Sequence, residues 1–493
     1  MWRTLTCGIH LAGGGRLPTK PGQLRGGKVL SEAGQKIAAV VLAAGKGMRM
    51  KSEKAKVLHE ASGRPIAFFP IRAALALDAS PVVVVIGHQA DVVQDVLGRQ
   101  FAGAPVRFAV QAQQLGTAHA VLCAEEALRG FEGSVLILAA DVPLIRVETL
   151  QKLIAARQGA DVALITCKAT DPTGYGRVVR RRDGTVAKVV EEKDASVEER
   201  KISEINASIY LADARFLLGA LRGVGRNNAQ GEYYLTDIVA RGRAVAVVAE
   251  ESEVSGVNDR AQLARSAAQL RERRNAQLMK DGVTFLDPDV TYVDEGVEVG
   301  ADTVLEPMAS LRGKTRIGRG VRIGQGCVIV DSEIADGAEI LPYSHLTECR
   351  VGARATVGPF ARLRPGAQLA EQTHVGNFVE LKNTVLGRGS KASHLTYLGD
   401  AVIGEGCNIG AGTITCNYDG VNKHVTTIED GAFIGSDTQL VAPVTVRKGA
   451  YVGTGTTVRE EVPAGALAVS AGKQRNIEGW VERKAPKKAS KKA

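Results

Sequence analysis

Aromatic side chains are scarce: Phe, Trp and Tyr together make up 4% of the 493 residues, with only two tryptophans. Glycine is abundant at 56 residues and the hydrophobic share is 45%. Cores built from small aliphatics and glycine point to repetitive β-structure in part of the chain. Cysteine is scattered at positions 7, 123, 167, 327, 349, 407 and 416, with no CxxC pair. That excludes a zinc ribbon or a CxxC redox pair and fits free thiols in a reducing cytosol. No apolar run reaches the roughly 18 residues of a membrane span. The first 35 residues have no continuous apolar segment, because Gly13-Gly14-Gly15 and Pro18 interrupt them. They do not read as a signal peptide.

Acidic residues are missing from both ends. Arg3, Arg16, Lys20, Arg25 and Lys28 stand among residues 1–30 without a carboxylate, as do Arg483, Lys484, Lys487, Lys488, Lys491 and Lys492 near the C-terminus. The net charge is +10, so these eleven cations leave residues 31–482 at −1. A nearly neutral body argues for small substrates rather than nucleic acid. The expectation is a basic, disordered extension over 1–35, either upstream of the natural start or a loose tail, and a basic tail over 471–493, both solubilising. Met50 is not the natural start, since it would delete the loop described below.

Three segments lie between the ends. Over 36–258, strand-like apolar runs (37–42, 82–86, 106–110, 135–140 and 162–167) alternate with helical patterns such as 114–129 and 147–157. This predicts an α/β, Rossmann-like domain with a mostly parallel sheet. Ligands of such sheets sit beyond the C-terminal strand ends. Residues 259–282, without an internal break until Gly282, read as a linking helix. From 283 to 470 an aliphatic residue, often followed by Gly, recurs every six residues, as in Ile317-Gly318, Ile323-Gly324 and Ile329. That period predicts a left-handed parallel β-helix of hexapeptide repeats. Its phase slips near 366–375 and 418–427, where inserted loops are expected. Such solenoids pack side by side, so a homotrimer with a site between subunits is expected.

Val40 to His59 reads VVLAAGKGMRMKSEKAKVLH. A buried strand that breaks into small residues and then presents Arg49 and Lys56 suits a phosphate group. Small residues let backbone N–H groups approach an anion, a following helix would add its dipole, and the cations add fixed charge. The loop is neither a Walker motif nor GxGxxG; an ordinary strand-to-helix turn with solvated lysines is the alternative. Asp141 follows the strand at 135–140, where it could hold Mg²⁺ between phosphates or cap a helix before Pro143. Asn206 and Asn258 could be ligands or turn residues. In the repeat region, Arg364, Glu380, Lys382, His394, Tyr397, Asn417, Tyr418 and Lys423 lie at or near interruptions. Cations suit a sugar phosphate, and a histidine titrating near neutrality suits deprotonation of an amine. His394 alone reads as a turn residue; in this company it reads as a base.

Together, LAAGKGxRM, KVLH, QxxQLGTxHA, GYGR, EIN and GVN resemble the nucleotide-diphospho-sugar pyrophosphorylases. With the hexapeptide half, residues 37–480 resemble the GlmU family, in which an N-acetylglucosamine-1-phosphate uridylyltransferase is joined to a glucosamine-1-phosphate N-acetyltransferase. The resemblance implies that Leu42, Ala43, Ala44 and Gly45 cradle uracil and phosphates, with Gln111, Gln114, Gly116 and Thr117 reading the uracil. Gly176, Glu191 and Asn206 would hold N-acetylglucosamine, Asp141 and Asn258 would bind Mg²⁺, and Arg49 and Lys56 would neutralise the triphosphate. In the second half it implies His394 as general base, oriented or polarised by Glu380. Arg364, Lys382, Tyr397, Asn408 and Lys423 would bind glucosamine 1-phosphate. Ala411, Asn417, Tyr418, Ser436 and Thr454 would meet acetyl-CoA, partly across a trimer interface. The sequence departs from the family at Met48, Ala55 and Ala471, where the family has Thr, Pro and in some members Arg; Lys473 or Arg475 could replace that Arg.

The expectation is a cytoplasmic bacterial transferase that acetylates glucosamine 1-phosphate and then uridylylates the product with UTP, giving UDP-N-acetylglucosamine for peptidoglycan and lipopolysaccharide. A monofunctional sugar-1-phosphate nucleotidyltransferase with a structural solenoid, and a non-catalytic regulatory subunit, are the alternatives. The His394 and Asn417-Tyr418 cluster argues against the first, and the intact Arg49, Lys56, Asp141 and Asn258 against the second.

Overall fold

The computed structural model describes residues 36–470, 472, 476–478 and 480–484. The expected basic extension over 1–35, the far end of the basic tail, and Ala471, Lys473 and Arg475 lie outside the described residues. The chain forms two compact units. One runs to Lys46 and then takes Phe69–Ser255; the other takes Gly47–Phe68 and continues from Gly256.

The first unit is built on a nine-stranded sheet. Ile37–Ala43 is its centre, paired in parallel with Val82–Ile86 on one side and Ser134–Ala139 on the other, and Val106–Val110 extends it beyond Val82–Ile86. The three inner strands are aliphatic because both faces are covered, and Val82 to Ile86 are fully buried, whereas Val106–Val110 at the edge is partly exposed. Since the four strands are parallel, Leu42, Gly87, Gln111 and Asp141 emerge at one edge. The antiparallel strand Glu204–Asp213 lies between Ser134–Ala139 and Val162–Lys168. The hairpin Arg177–Arg180/Val186–Val190 closes the far side. The region expected as one helix over 114–129 is a helix over Thr117–Leu122 and a separate turn at Glu126–Leu128. Gly116 stops it from starting earlier, with φ +113.

In the second unit the helix Arg260–Lys280 is capped by Asp259, which accepts from the Gln262 N–H at 2.7 Å. It leads into a left-handed parallel β-helix. Each short strand pairs in parallel with its counterpart one turn on, as Thr356 does with His374 and His374 with Lys391. Ile317, Ile323, Ile329, Val357, Leu363 and Leu369 are among the aliphatics stacked in the prism core. Two residues before each aliphatic sits a second buried position, filled by something small: Ala355, Ala361, Ala367 and Thr373 in consecutive repeats. Cys327, Cys349 and Cys407 occupy this same slot. Burial pushes the Cys327 and Cys349 thiols up to about 11, so they are packing groups rather than nucleophiles. At several slots that hold Ser or Thr the hydroxyl donates to a backbone carbonyl, as Ser390 does to Gly404 at 2.7 Å, whereas the Thr426 and Thr456 hydroxyls are buried without a hydrogen-bond partner.

No loop is inserted at 366–375, contrary to expectation. Strands Arg362–Leu363, Gln368–Leu369 and His374–Asn377 keep the six-residue step. The slips near this region are losses of one residue at a corner, at Leu381 to Leu386 and Leu398 to Ile403, inside the continuous strands Glu380–Leu386 and Tyr397–Ile403. The insertion at 418–427 is real. Asn408 pairs with Phe433, a turn of 25 residues where neighbouring turns take 17 or 18. The excess forms a small hairpin closed by the Tyr418–Lys423 bridge.

Candidate active sites

At the sheet edge of the first unit, Leu42 is half-buried and Ala43 and Ala44 are buried, while Gly45 is open. Gly87 lies beside them: a Cβ there would sit 2.9 Å from both Ala44 Cβ and Gln114 Nε2. The Gln111 amide nitrogen bonds Gly116 O at 3.1 Å and His119 Nδ1 at 3.0 Å, and Gln114 Nε2 donates to Gln111 O at 3.3 Å. Gly116 itself cannot be replaced freely, since a Cβ would fall 2.5 Å from Tyr233 O. Thr117 Oγ1 accepts from the Leu235 N–H at 3.0 Å, so this residue also ties two segments together. Asp141 lies in a turn after Ser134–Ala139, half-buried. The following helix starts at Val147 with Arg146 at its cap, so Asp141 is not a helix cap.

Further along the sheet, Asn206 N donates to Gly176 O at 2.9 Å, joining two of the motifs. A bulge between Asn206 and Tyr210 breaks the register of that strand. The Asn206 amide is engaged there, donating to Tyr210 Oη at 2.6 Å and accepting from Ser208 N at 3.1 Å. Turn chemistry at Asn206 is therefore present. Arg177, 2% exposed, pairs with Glu192 at 2.7 Å beneath the Gly174–Gly176 turn. Glu191 accepts from Thr236 Oγ1 at 3.2 Å and borders a cavity of about 540 Å³ that includes Asp194, Tyr234 and Asp237. Burial, reinforced by those carboxylates against the Thr236 hydrogen bond, pushes the Glu191 carboxyl up.

In the second unit, the segment after Gly47 is a three-residue turn, Met48–Met50, and not the helix expected to lend its dipole. Any anion here must rely on backbone N–H groups and on cations. Arg49 is exposed and Met48 points to solvent at 85% exposure. Ala55 has φ −52 and ψ 135, a conformation open to proline as well, so its presence does not alter the local backbone. Lys56 Nζ donates to Asn258 Oδ1 at 3.3 Å. Asp141 offers a carboxylate and Asn258 an amide oxygen. Each, in its own unit, is a hard oxygen donor. Among the described residues no group of three or more His, Cys, Asp or Glu forms a cage.

On the β-helix, His394 sits one turn from Asn377. Its Nδ1 lies 2.7 Å from Asn377 Oδ1. An amide oxygen only accepts, so Nδ1 carries the proton and Nε2 is the free base. Glu380 was expected to orient or polarise His394, and Asn377 is the partner that the His394 Nδ1 meets. Glu380 pairs with Arg364 at 2.8 Å. Lys382 Nζ lies 3.6 Å from Asp400 Oδ2. Lys423, exposed on the inserted hairpin, reaches Lys382, and that contact holds its ammonium below the usual lysine range. Lys382 is the member of the pair that keeps its proton, donating it toward Lys423 and favoured by the Asp400 carboxylate, so it lies above that range. Gly399 allows the Tyr397 ring to lie close, since a Cβ there would fall 2.4 Å from Tyr397 Oη. Asn408 is half-buried in the ladder between Lys391 and Phe433. Ala411, Ser436 and Thr454 take equivalent places in successive turns, with Asp437 N donating to Ala411 O at 2.7 Å and Gly455 N to Ser436 O at 2.9 Å. Tyr418 is exposed and Asn417 buried.

A profile described as a MobA-like NTP transferase domain matches residues 39–204, and one described as a hexapeptide repeat of succinyl-transferase matches 425–460. The "Bifunctional protein GlmU" of Anaeromyxobacter sp. (strain Fw109-5) is 56% identical over 459 residues, covering 92% of this chain and 94% of that protein. Proteins of the same name from Anaeromyxobacter dehalogenans (strain 2CP-C) and Pelobacter propionicus are 54% and 50% identical, covering 92% and 90% of this chain and 94% and 98% of theirs. The chain belongs to the GlmU family.

Within this GlmU-family chain, Gly87, Asn377, Asn383 and Asp400 are the site neighbours that sequence reasoning missed. Each of the three polar residues acts on a partner one solenoid turn away, and the 17-residue register that joins them was the signal available to find them.

Proposed function

We propose that this chain makes UDP-N-acetylglucosamine in two steps, one in each half. In the first, the amine of glucosamine 1-phosphate attacks the thioester carbonyl carbon of acetyl-CoA. The C–N bond forms, the C–S bond breaks, and the amine proton passes through His394 Nε2 to the departing sulfur, so coenzyme A leaves as the thiol. Asn377 holds the imidazole in the tautomer this requires. Arg364, Lys382, Tyr397, Asn408 and Lys423 bind the sugar phosphate. Ala411, Asn417, Tyr418, Ser436 and Thr454 meet acetyl-CoA.

In the second step a phosphate oxygen of N-acetylglucosamine 1-phosphate attacks the α-phosphorus of UTP in line and pyrophosphate leaves. No protein nucleophile is needed, and positioning with charge stabilisation supplies the rate. Gln111, Gln114, Gly116 and Thr117 read the uracil against the Leu42–Gly45 backbone. Gly176, Glu191 and Asn206 hold the sugar, and Arg49 and Lys56 neutralise phosphate. Mg²⁺, when bound by Asp141 and Asn258, supplies the remaining charge neutralisation. The working form is a cytoplasmic homotrimer through the β-helix, and the product feeds cell-wall polymers.

The observation that carries this reading is the His394–Asn377 pair on a solenoid that also carries a cluster of three cations, in a chain whose other half carries the nucleotidyltransferase fold. Incubation with glucosamine 1-phosphate, acetyl-CoA, UTP and Mg²⁺ should yield UDP-N-acetylglucosamine, identified by mass. Failure to form it, with N-acetylglucosamine 1-phosphate in place of glucosamine 1-phosphate restoring synthesis, would defeat the acetyltransferase half.

A further inference from the structure

We propose that Asp400 is a positioning residue of the acetyl-transfer site, whose carboxylate fixes Lys382 directly and, through Asn417 at the root of the inserted hairpin, sets the place of Lys423, the two lysines assigned to the sugar phosphate. This rests on the acetyltransferase reading above. Asp400 is 8% exposed and has a φ of +49, a region aspartate enters more readily than most residues. Asn383, Asp400 and Asn417 stand at one corner of three successive turns. Asp400 Oδ1 accepts from Asn383 Nδ2 at 2.8 Å, and Oδ2 accepts from Asn417 Nδ2 and faces Lys382 Nζ at 3.6 Å. A buried carboxylate is costly unless its lone pairs are used, and here both oxygens are.

The charges around it explain what it does. Lys382 faces Lys423, Asp400 and Tyr397, and Lys423 faces Lys382, Asp400 and Arg364. Arg364 is already paired with Glu380. Two ammonium groups in contact repel; Asp400 pairs directly with Lys382 at 3.6 Å and acts on Lys423 through its charge and through Asn417 before a phosphate arrives. Burial raises the Asp400 carboxyl, but the hydrogen bonds from Asn383 and Asn417 and the two lysines outweigh it, leaving the group below its ordinary value. It is therefore ionised at neutral pH. Through Asn417 the same carboxylate anchors the hairpin that carries Lys423, so one group sets both the charge and the position of the phosphate-binding pair.

The test is steady-state acetyl transfer by the full-length chain, wild type against Asp400→Asn. The KM for glucosamine 1-phosphate should rise roughly tenfold, the scale of a lost charge-assisted bond, while kcat changes much less. With the carboxylate gone, Lys382 depresses Lys423 further, so the alkaline limb of kcat/KM should move to lower pH. If Asp400→Asn does not fold, Asn383→Gly serves, because Asn383 is exposed with a φ of +46 that glycine accepts. It should raise the same KM by about threefold. An unchanged KM and pH limb, or parallel losses of kcat and of uridylyl transfer, would overturn the proposal while leaving the functional reading intact. A wild-type chain that does not acetylate glucosamine 1-phosphate would overturn that reading and the proposal with it.

Discussion

Asn377 Oδ1 lies 2.7 Å from His394 Nδ1, across one turn of the solenoid. The amide fixes which imidazole nitrogen is basic, and the strand register fixes where the amide stands. Asn377→Ala should lower kcat for acetyl transfer roughly tenfold or more, since a misoriented base loses part of its usual contribution. Asn377→Asp, which keeps an acceptor, should recover most of it. Thiol release reports both, and an unchanged kcat in Asn377→Ala would remove Asn377 from the mechanism.

Metal removal should separate the two halves. A chelator is expected to stop pyrophosphate release from UTP and N-acetylglucosamine 1-phosphate while leaving thiol release untouched. Asp141→Ala should reproduce that pattern without chelator. Equal loss of both activities in Asp141→Ala would contradict the assignment of Asp141 to one site.

Glu191 gives a pH-dependent prediction. Burial raises its carboxyl in the folded chain, so the folded state binds the proton more tightly than the unfolded state, whose value is near 4.3. Stability from this group is intact below the unfolded value and is lost as pH rises through the folded value. Glu191→Gln should therefore unfold at a higher temperature than wild type at pH 8 but not at pH 4, while its KM for N-acetylglucosamine 1-phosphate rises. Equal melting differences at both pH values would show that Glu191 is not destabilised by ionisation.

Gly399→Ala tests the placement of Tyr397. The added methyl meets the end of the Tyr397 side chain, which can swing aside at little cost to folding. The hydroxyl then leaves the sugar-phosphate site. A several-fold rise in the KM for glucosamine 1-phosphate is expected, with uridylyl transfer unchanged. An unaltered KM would mean that Tyr397 does not touch the sugar phosphate.

The solenoid was legible because one face of every short strand must bury an aliphatic, and that demand repeats at a fixed interval. The loss of a single residue at a corner, as between Leu381 and Leu386, shifts the pattern by less than the scatter of the sequence, so the slip was misplaced at 366–375. The parallel half of the first sheet was legible as apolar runs. The antiparallel strand Glu204–Asp213 was read only as a motif, because its bulge at Asn206–Tyr210 breaks the alternation that marks a strand. Among site residues, those in contiguous motifs around Gly45, Gln111 and Gly176 stood out. Asn377 and Asp400 did not: a lone Asn or Asp between apolar residues looks like any turn, and only the register brings its partner within reach.

The central claim is that one chain carries two activities. Its most direct test is a pair of assays on the purified protein with Mg²⁺: thiol release from acetyl-CoA and glucosamine 1-phosphate, and pyrophosphate release from UTP and N-acetylglucosamine 1-phosphate. The account predicts both products. Pyrophosphate without thiol release would contradict it, reducing the β-helix to a scaffold.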